Sequence, residues 1–465
     1  MAFLIVLAAL CFLMLVAYRG YSVIIFAPIA ALGAVLLTDP TLVAPMFTGL
    51  FMEKMVGFLK LYFPVFLLGA IFGKLIEISG FSKSIVIATI KLLGAKRAML
   101  SIVTVCALLT YGGVSLFVVV FAVYPFAAEL FRQSDIPKRL IPGTIALGAF
   151  TFTMDSLPGT PQIQNIIPAS FFGTNAWAAP WLGVIGGIFI LALGMSYLEW
   201  RRRVALEAGE GYGDQLLNEP AAFSGEKLAH PLIALFPLVL VGVANKALGI
   251  LIPQHYGTQH EFIPAVIGTP APVVQEVSKV AAIWAVEGAL LIGILCVLVF
   301  AWKNIANQFA ESTKPAIGGA LLASMNTASE YGFGAVIAAL PGFLVVANAL
   351  KSIPNPLVNE AVTVTALAGI TGSASGGMSI ALAAMADTFI ANANEAGISM
   401  EVLHRVAAMA SGGMDTLPHN GAVITLLAVT GLTHRQSYKD IFAITIIKTL
   451  AVFVVIAVYY AIGLV

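Results

Sequence analysis

Apolar stretches close to the ~20 residues that a membrane-spanning helix needs follow one another along the whole chain. They occupy 2–18, 21–38, 61–79, 140–172, 177–200, 231–252, 280–302, 317–347, 402–432 and 441–464. Two further apolar segments lie at 99–131 and 358–394. Of the 465 residues 60% are apolar and 10% charged, where a soluble domain carries about 25% charged residues. So little polar surface does not cover a soluble fold, and disordered chains are poor in apolar residues. With 24 basic against 23 acidic residues, the net charge of +1 supplies no basic face for nucleic acid. The composition therefore predicts an all-α, polytopic protein whose main partner is the lipid bilayer. The opening run lacks a basic start and a small-residue cleavage site, and it reads as the first span. Cys11, Cys106 and Cys296 sit inside apolar runs at no metal-ligand spacing and read as buried hydrophobes. No metal site is expected.

Basic residues set the orientation, because positively charged loops stay in the cytoplasm. The polar segment 201–229, which opens Arg201-Arg202-Arg203, divides the chain into halves 1–200 and 230–465 and reads as a cytoplasmic linker. Threading outward from it brings together, on the inner side, Arg19, the group from Lys74 to Arg97, Arg132, Lys138, Arg139, Lys303, Lys314, Arg435 and Lys439. Both termini fall outside. This holds only if 99–131 does not cross, since Lys96-Arg97 and Lys138-Arg139 flank it. As one helix it would be ~50 Å long, beyond a ~30 Å hydrocarbon core. Its middle, Thr110-Tyr111-Gly112-Gly113-Val114-Ser115, suits a turn, and the segment reads as an inward-opening re-entrant hairpin, a single tilted span with a Gly-Gly kink being the alternative.

The second half repeats the pattern. Gly112-Gly113-Val114-Ser115 matches Gly376-Gly377-Met378-Ser379, and Met154-Asp155-Ser156-Leu157-Pro158 matches Met414-Asp415-Thr416-Leu417-Pro418. Upstream, Gly69-Ala70-Ile71 matches Gly334-Ala335-Val336. The threading gives these repeats opposite orientations, with an outward-opening hairpin at 358–394. Broken helices are expected at 140–172 and 402–432, where Pro158, Pro161 and Pro418 remove helix donors. Inverted repeats with broken helices meeting near the midplane are a transporter architecture.

Asp155 is the only formal charge from 140 to 198, and Asp415 the only one from 406 to 434. A carboxylate at that depth is costly and points to function; capping of the second half-helix is the structural alternative. Ser156, Gln162, Gln164 and Asn165 follow the first aspartate, and Thr416, His419 and Asn420 the second. Their amides and hydroxyls are candidates for holding a substrate. At the hairpin tips Gly112, Gly113, Gly376 and Gly377 allow close backbone approach, and Ser115 and Ser379 add hydroxyls, while tight helix packing is the other reading. Neither tip nor break contains Lys or Arg. Asp155, Asp415, His419 and Glu330 are the candidates for proton or ion coupling.

The hairpin Leu109-Thr110-Tyr111-Gly112-Gly113-Val114-Ser115-Leu116-Phe117-Val118-Val119-Val120, with the Met-Asp-[Ser/Thr]-Leu-Pro breaks, resembles the gluconate permease family, in particular its hydroxybutyrate-permease-like branch. The resemblance implies membership of a superfamily that includes sodium-coupled dicarboxylate and citrate carriers. It further implies a homodimer in which scaffold helices flank a mobile transport domain, in a bacterial cytoplasmic (inner) membrane. Gluconate-type members import small hydroxy acids with protons. The tips here lack the Ser-Asn-Thr of the dicarboxylate branch. The expectation is therefore a proton symporter of a small hydroxylated monocarboxylate with elevator-like alternating access, and without a cofactor. A sodium-coupled di- or tricarboxylate carrier is the alternative, and an anion channel the reading from another class. An intramembrane hydrolase would need Ser115 or Ser379 with His419, and no oxyanion-hole or zinc signature accompanies them.

Overall fold

The computed structural model describes residues 2–19, 21–94, 97–213, 217–220, 228–263, 272–345, 353–418 and 420–465. The chain opens with α1 (Ala2–Tyr18) and α2 (Val23–Thr38). Asp39 then accepts from the Thr41 amide at 2.9 Å and starts a short 3-10 turn at Pro40. A π-helical stretch, Phe47–Met52, leads into α3 (Glu53–Ile78). There follow α4 (Phe81–Leu93), α5 (Ala98–Tyr111), α6 (Leu116–Gln133), α7 (Ile141–Ala149), α8 (Ile163–Phe172) and α9 (Pro180–Glu207). The second half holds α10 (Pro231–Tyr256), a two-stranded antiparallel ribbon of β1 (Gln259–Phe262) and β2 (Val273–Glu276), α11 (Val277–Ile305) and α12 (Phe309–Ala339). It ends with α13 (Pro356–Thr371), α14 (Ala374–Glu395), α15 (Met400–Ser411), α16 (Gly421–Thr430) and α17 (His434–Ile462).

Among the described residues six helical stretches are long and apolar enough to cross a membrane: Pro40–Ile78, α9, α10, α11, α14 and α17. Leu37, Ile188, Val239, Leu295 and Val299 stand exposed on α2, α9, α10 and α11. Apolar side chains that face outward from so many helices fit a lipid environment and not water. Cys11 lies among them, exposed on the peripheral α1, whereas Cys106 and Cys296 are buried as expected.

Both aspartate motifs interrupt a helix. The first interruption separates α7 from α8, with a short turn at Phe152–Asp155. The second separates α15 from α16. Pro158 and Pro161 fall in the first gap and Pro418 in the second, where their missing N–H costs no helical hydrogen bond. Each second half-helix is 10 residues long and ends on a left-handed glycine, Gly173 (φ 63°) and Gly431 (φ 66°). These pieces lie at the centre of the bundle: all of α7 is buried, and so is α15 from Val402 to Ser411.

The segments around 112 and 372 also fold as helix, turn, helix. Residues 112–115 join α5 to α6, and Gly372-Ser373 joins α13 to α14, each pair packing on itself. At 1.5 Å per residue the first pair reaches about 21 and 27 Å, and the second about 24 and 33 Å. The longest of these arms, α14, thus has the length of a crossing helix.

Three features differ from the sequence reading. The span placed at 61–79 begins at Glu53, because Lys54 and Lys60 interrupt the apolar count without interrupting the helix. Residues 81–93 form an amphipathic helix whose Phe81, Ile85, Val86 and Thr89 are buried and whose two lysines hid it from an apolar count. The segment 201–229 is not a free linker over its first part. Helix α9 runs on to Glu207, and Arg201 pairs with buried Asp440 at 2.7 Å. Arg139 grips Glu210 through two hydrogen bonds of 2.6 and 2.7 Å, which hold that carboxyl below the usual carboxylate range. Lys138 pairs with Glu219 at 2.8 Å, and Asn218 donates to the Ala428 carbonyl at 2.8 Å.

Candidate functional site

The two breaks meet. The carboxylate of Asp155 lies against Gly412, at the start of the second break, in space that a Cβ there would occupy. Asp155 accepts from Ser156 Oγ at 2.7 Å and is 2% exposed. Asp415 pairs with Lys448 of α17, which also donates to the Phe150 carbonyl at the end of α7, at 3.0 Å. Lys448 is therefore bonded to both breaks at once. Around Asp415, Thr416 Oγ1 shares a 2.6 Å hydrogen bond with Thr445 Oγ1, and Thr449 donates to the Gly413 carbonyl at 2.8 Å. Tyr438 donates to the Thr416 carbonyl at 3.1 Å. Helix α17 thus holds the second break open along one face.

A second bridge comes from α15. Arg405 is fully buried and donates to the Ala178 carbonyl, to the Asp155 carbonyl at 3.1 Å and to Asn165 Oδ1 at 3.0 Å. Its neighbour His404 shares a 2.6 Å bond with Thr174 Oγ1 and reaches Asn165 Oδ1 at 3.4 Å. The neutral tautomer with its proton on Nε2 satisfies both contacts, the Thr174 hydroxyl donating to Nδ1. Asn165 also donates to the carbonyls of Thr160 and Ala176, both at 2.9 Å. Every polar atom of its side chain is used within the protein, so in this conformation Asn165 supports the loop and has no bond left for a ligand.

The break amides tie each break to the hairpin of its own half. Gln162 Nε2 donates to the carbonyls of Thr110 and Val114 at 2.8 and 3.2 Å. Asn420 caps α16 through Ala422 and Val423 and donates to the Gly372 carbonyl at 2.7 Å. Gln164 is buried, and its Oε1 has no partner among the described residues. His419 lies outside the described residues.

Glycines at the tips leave space for a ligand to approach the backbone, but here protein fills that space. A Cβ on Gly112 would meet Leu238, and one on Gly113 would lie 3.1 Å from Pro161. A Cβ on Gly376 would meet the Glu330 carboxylate, and one on Gly377 the backbone of Ala368. In this conformation the glycines are close-packing positions. Ser115 precedes α6 without capping it, and Ser379 is fully buried with no partner for its hydroxyl among the described residues. Glu330 on α12 is 3% exposed and its Oε2 is likewise unpartnered. Beside it Thr327 and Ser375 bond across the α12–α14 contact at 3.2 Å.

Sequence reasoning brought Asp155 and Asp415 to the centre but missed the cations around them. Neither break contains Lys or Arg, and both are nevertheless contacted by one from a neighbouring helix segment. The signal was present for Lys448, which is the only formal charge from 441 to 465. Arg405 was hidden by its place at the edge of an apolar run. Glu360, fully buried on α13 with both carboxylate oxygens unpartnered among the described residues, was also passed over.

No family model matches the chain. It is 60% identical, over the full length of both proteins, to the "Uncharacterized transporter YxjC" of Bacillus subtilis (strain 168). Among solved structures it is similar to the YdaH transporter of Alcanivorax borkumensis, described as having an unusual topology, with a TM-score of 0.49 and 15% identity over 92% of this chain and 90% of that one. Full-length identity at this level, in a bundle of long apolar helices, places the chain in the YxjC family of multi-pass membrane transporters, and it is not an enzyme.

Proposed function

We propose that the chain is a secondary active transporter that imports a small hydroxylated monocarboxylate, such as gluconate or 3-hydroxybutyrate, by proton symport. The observation that carries this reading is that the two breaks meet at the centre of the bundle, with Asp155 against Gly412 and Asp415 paired to Lys448. Each aspartate comes from the same five-residue motif in its own half, and each is buried where charge is costly. Such a group takes up and releases a proton as the site changes its exposure. Buried Glu330, whose Oε2 has no partner among the described residues, is a further proton carrier. Of the candidate hydroxyls and amides in the breaks and tips, Gln164 and Ser379 keep buried atoms unpartnered among the described residues and are the ones that hold the substrate in this conformation.

The reading includes an inverted repeat with two re-entrant hairpins that moves elevator-fashion, in a homodimer in a bacterial cytoplasmic membrane. Matched packing supports the repeat. Helices α3 and α12, which carry Gly69 and Gly334, pack on each other, as do α9 and α17. Helix α8 packs on α14, and α16 on α6, so each half-helix after a break touches the hairpin of the other half. Single cysteines near Lys96 and near Lys138 are expected to react with an impermeant thiol reagent from the cytoplasmic side only. Labelling from opposite sides would remove the first hairpin and the inverted repeat with it.

Uptake of labelled gluconate or 3-hydroxybutyrate into proteoliposomes is expected to saturate, to rise as external pH falls and to persist when sodium is replaced by choline. Loss of uptake in choline would favour a sodium-coupled carrier of di- or tricarboxylates. Flux that does not saturate and never runs uphill would indicate a channel.

A further inference from the structure

We propose that Lys448 is the residue that receives the substrate carboxylate, and that a proton taken up by the Asp155–Asp415 pair is what frees it to do so. The inference rests on the reading of the chain as a carboxylate carrier and adds to it a binding residue and a stoichiometry.

Among the described residues four charged side chains are buried around the two breaks: Asp155, Asp415, Lys448 and Arg405. Their formal charges sum to zero. The two cations are not equivalent. Among the described residues Arg405 is held by neutral acceptors only, two backbone carbonyls and the Asn165 amide, which it cannot leave without stranding them. Lys448 instead has a titratable partner, Asp415, and one backbone partner, Phe150. An ammonium has three donors, so two bonds leave room for a third. The charges facing Asp155 are Lys448, Asp415 and Arg405, while Tyr438 faces Asp415 and Tyr111 faces Arg405. Glu401 also faces Arg405 but is exposed, its carboxylate accepting from the Ala179 amide at 3.2 Å. Glu330 lies elsewhere, against Gly376.

A monocarboxylate entering this neutral site would leave one uncompensated negative charge in the interior, which is expensive. One proton on the aspartate pair restores the balance. Placed on Asp415, it also removes the counter-ion of Lys448, whose ammonium then pairs with the incoming carboxylate. Substrate and proton therefore arrive together, one of each, and the loaded site is neutral like the empty one. Discharge to the side of higher pH reverses both steps: the proton leaves, Asp415 recaptures Lys448, and the substrate loses its cation.

The test uses purified full-length protein and two probes, gluconate and 3-hydroxybutyrate, with binding followed by calorimetry from pH 5 to 8. Wild type is expected to bind one of them less tightly as pH rises, by up to about tenfold per unit for one linked proton. Asp415→Asn imitates the protonated state and is expected to bind at all these pH values with a flat profile. Lys448→Met alone strands a carboxylate, so the decisive variant is Lys448→Met combined with Asp415→Asn, in which the pair is neutral. It is expected to bind at least about tenfold more weakly than Asp415→Asn. Equal affinity of these two variants, or loss of binding in Asp415→Asn alone, overturns the role of Lys448 and leaves the carrier reading standing. Wild type that binds neither acid overturns both. In proteoliposomes wild-type uptake is expected to be insensitive to a potassium diffusion potential, and uptake that follows the potential overturns the one-to-one stoichiometry.

Discussion

Arg405→Met is expected to lower the melting temperature of the solubilised protein by roughly 5 to 10 °C and to reduce its abundance in the membrane. The loss comes from what the guanidinium leaves behind. Replacing a buried ion pair by apolar residues is often harmless when both partners go. Here the partners are the carbonyls of Ala178 and Asp155 and the Oδ1 of Asn165, and two of these are backbone. They stay, and each acceptor stranded in the interior costs about 1 to 3 kcal/mol. Relief of the buried charge offsets part of that, so the net loss is on the order of several kcal/mol, a large share of a typical stability. Arg405→Lys is expected to recover only part of the loss, because a point ammonium does not reproduce the planar fork. An unchanged melting temperature for Arg405→Met would show that the bridge between α15 and the first break is not structural.

The same residue shows how far the sequence could be read. Charges isolated within long apolar stretches are legible, because burial of charge is costly wherever the chain runs; this located Asp155 and Asp415. Applied to the last helix, the same rule also selects Lys448. Which charges meet is another matter. Arg405 and the Ala178 carbonyl lie 227 positions apart, and no local pattern relates them. The prolines were informative for a local reason: a residue without an N–H marks a place where a helix is interrupted, and Pro158, Pro161 and Pro418 all lie in the gaps between half-helices. The tip glycines were ambiguous for an equally local reason. A missing Cβ admits a ligand or another helix, and only the packed structure shows Leu238, Glu330 and the Ala368 backbone filling the space. The 208–219 segment misled by composition, since its acidic residues look solvated until Arg139 and Lys138 are seen to hold Glu210 and Glu219.

Asp155→Asn and Asp415→Asn are both expected to give folded, membrane-inserted protein, and at least one of them to lose concentrative uptake while still exchanging substrate across the membrane. Shape is preserved in each case. An amide at 155 keeps an oxygen that accepts from Ser156 and keeps the contact with Gly412. An amide at 415 still accepts from Lys448. If the aspartates acted only as helix caps, both variants would work, because Asn caps about as well as Asp. What the amide removes is titration. A carrier that cannot change its protonation still binds, moves and releases substrate in both directions, so counterflow of labelled against unlabelled substrate survives. It has lost the link that makes movement downhill for the proton and uphill for the substrate. With a tenfold proton gradient and one proton per substrate, wild type is expected to approach about tenfold accumulation, since a factor of ten in concentration corresponds to about 1.4 kcal/mol. The uncoupled variant is expected to stop at equal concentrations on the two sides. The two measurements separate the roles: accumulation reads coupling, and counterflow reads binding and movement. Near-normal accumulation by both variants would show that neither carboxylate carries the proton. Coupling would then have to be sought at the buried carboxylates of Glu330 and Glu360.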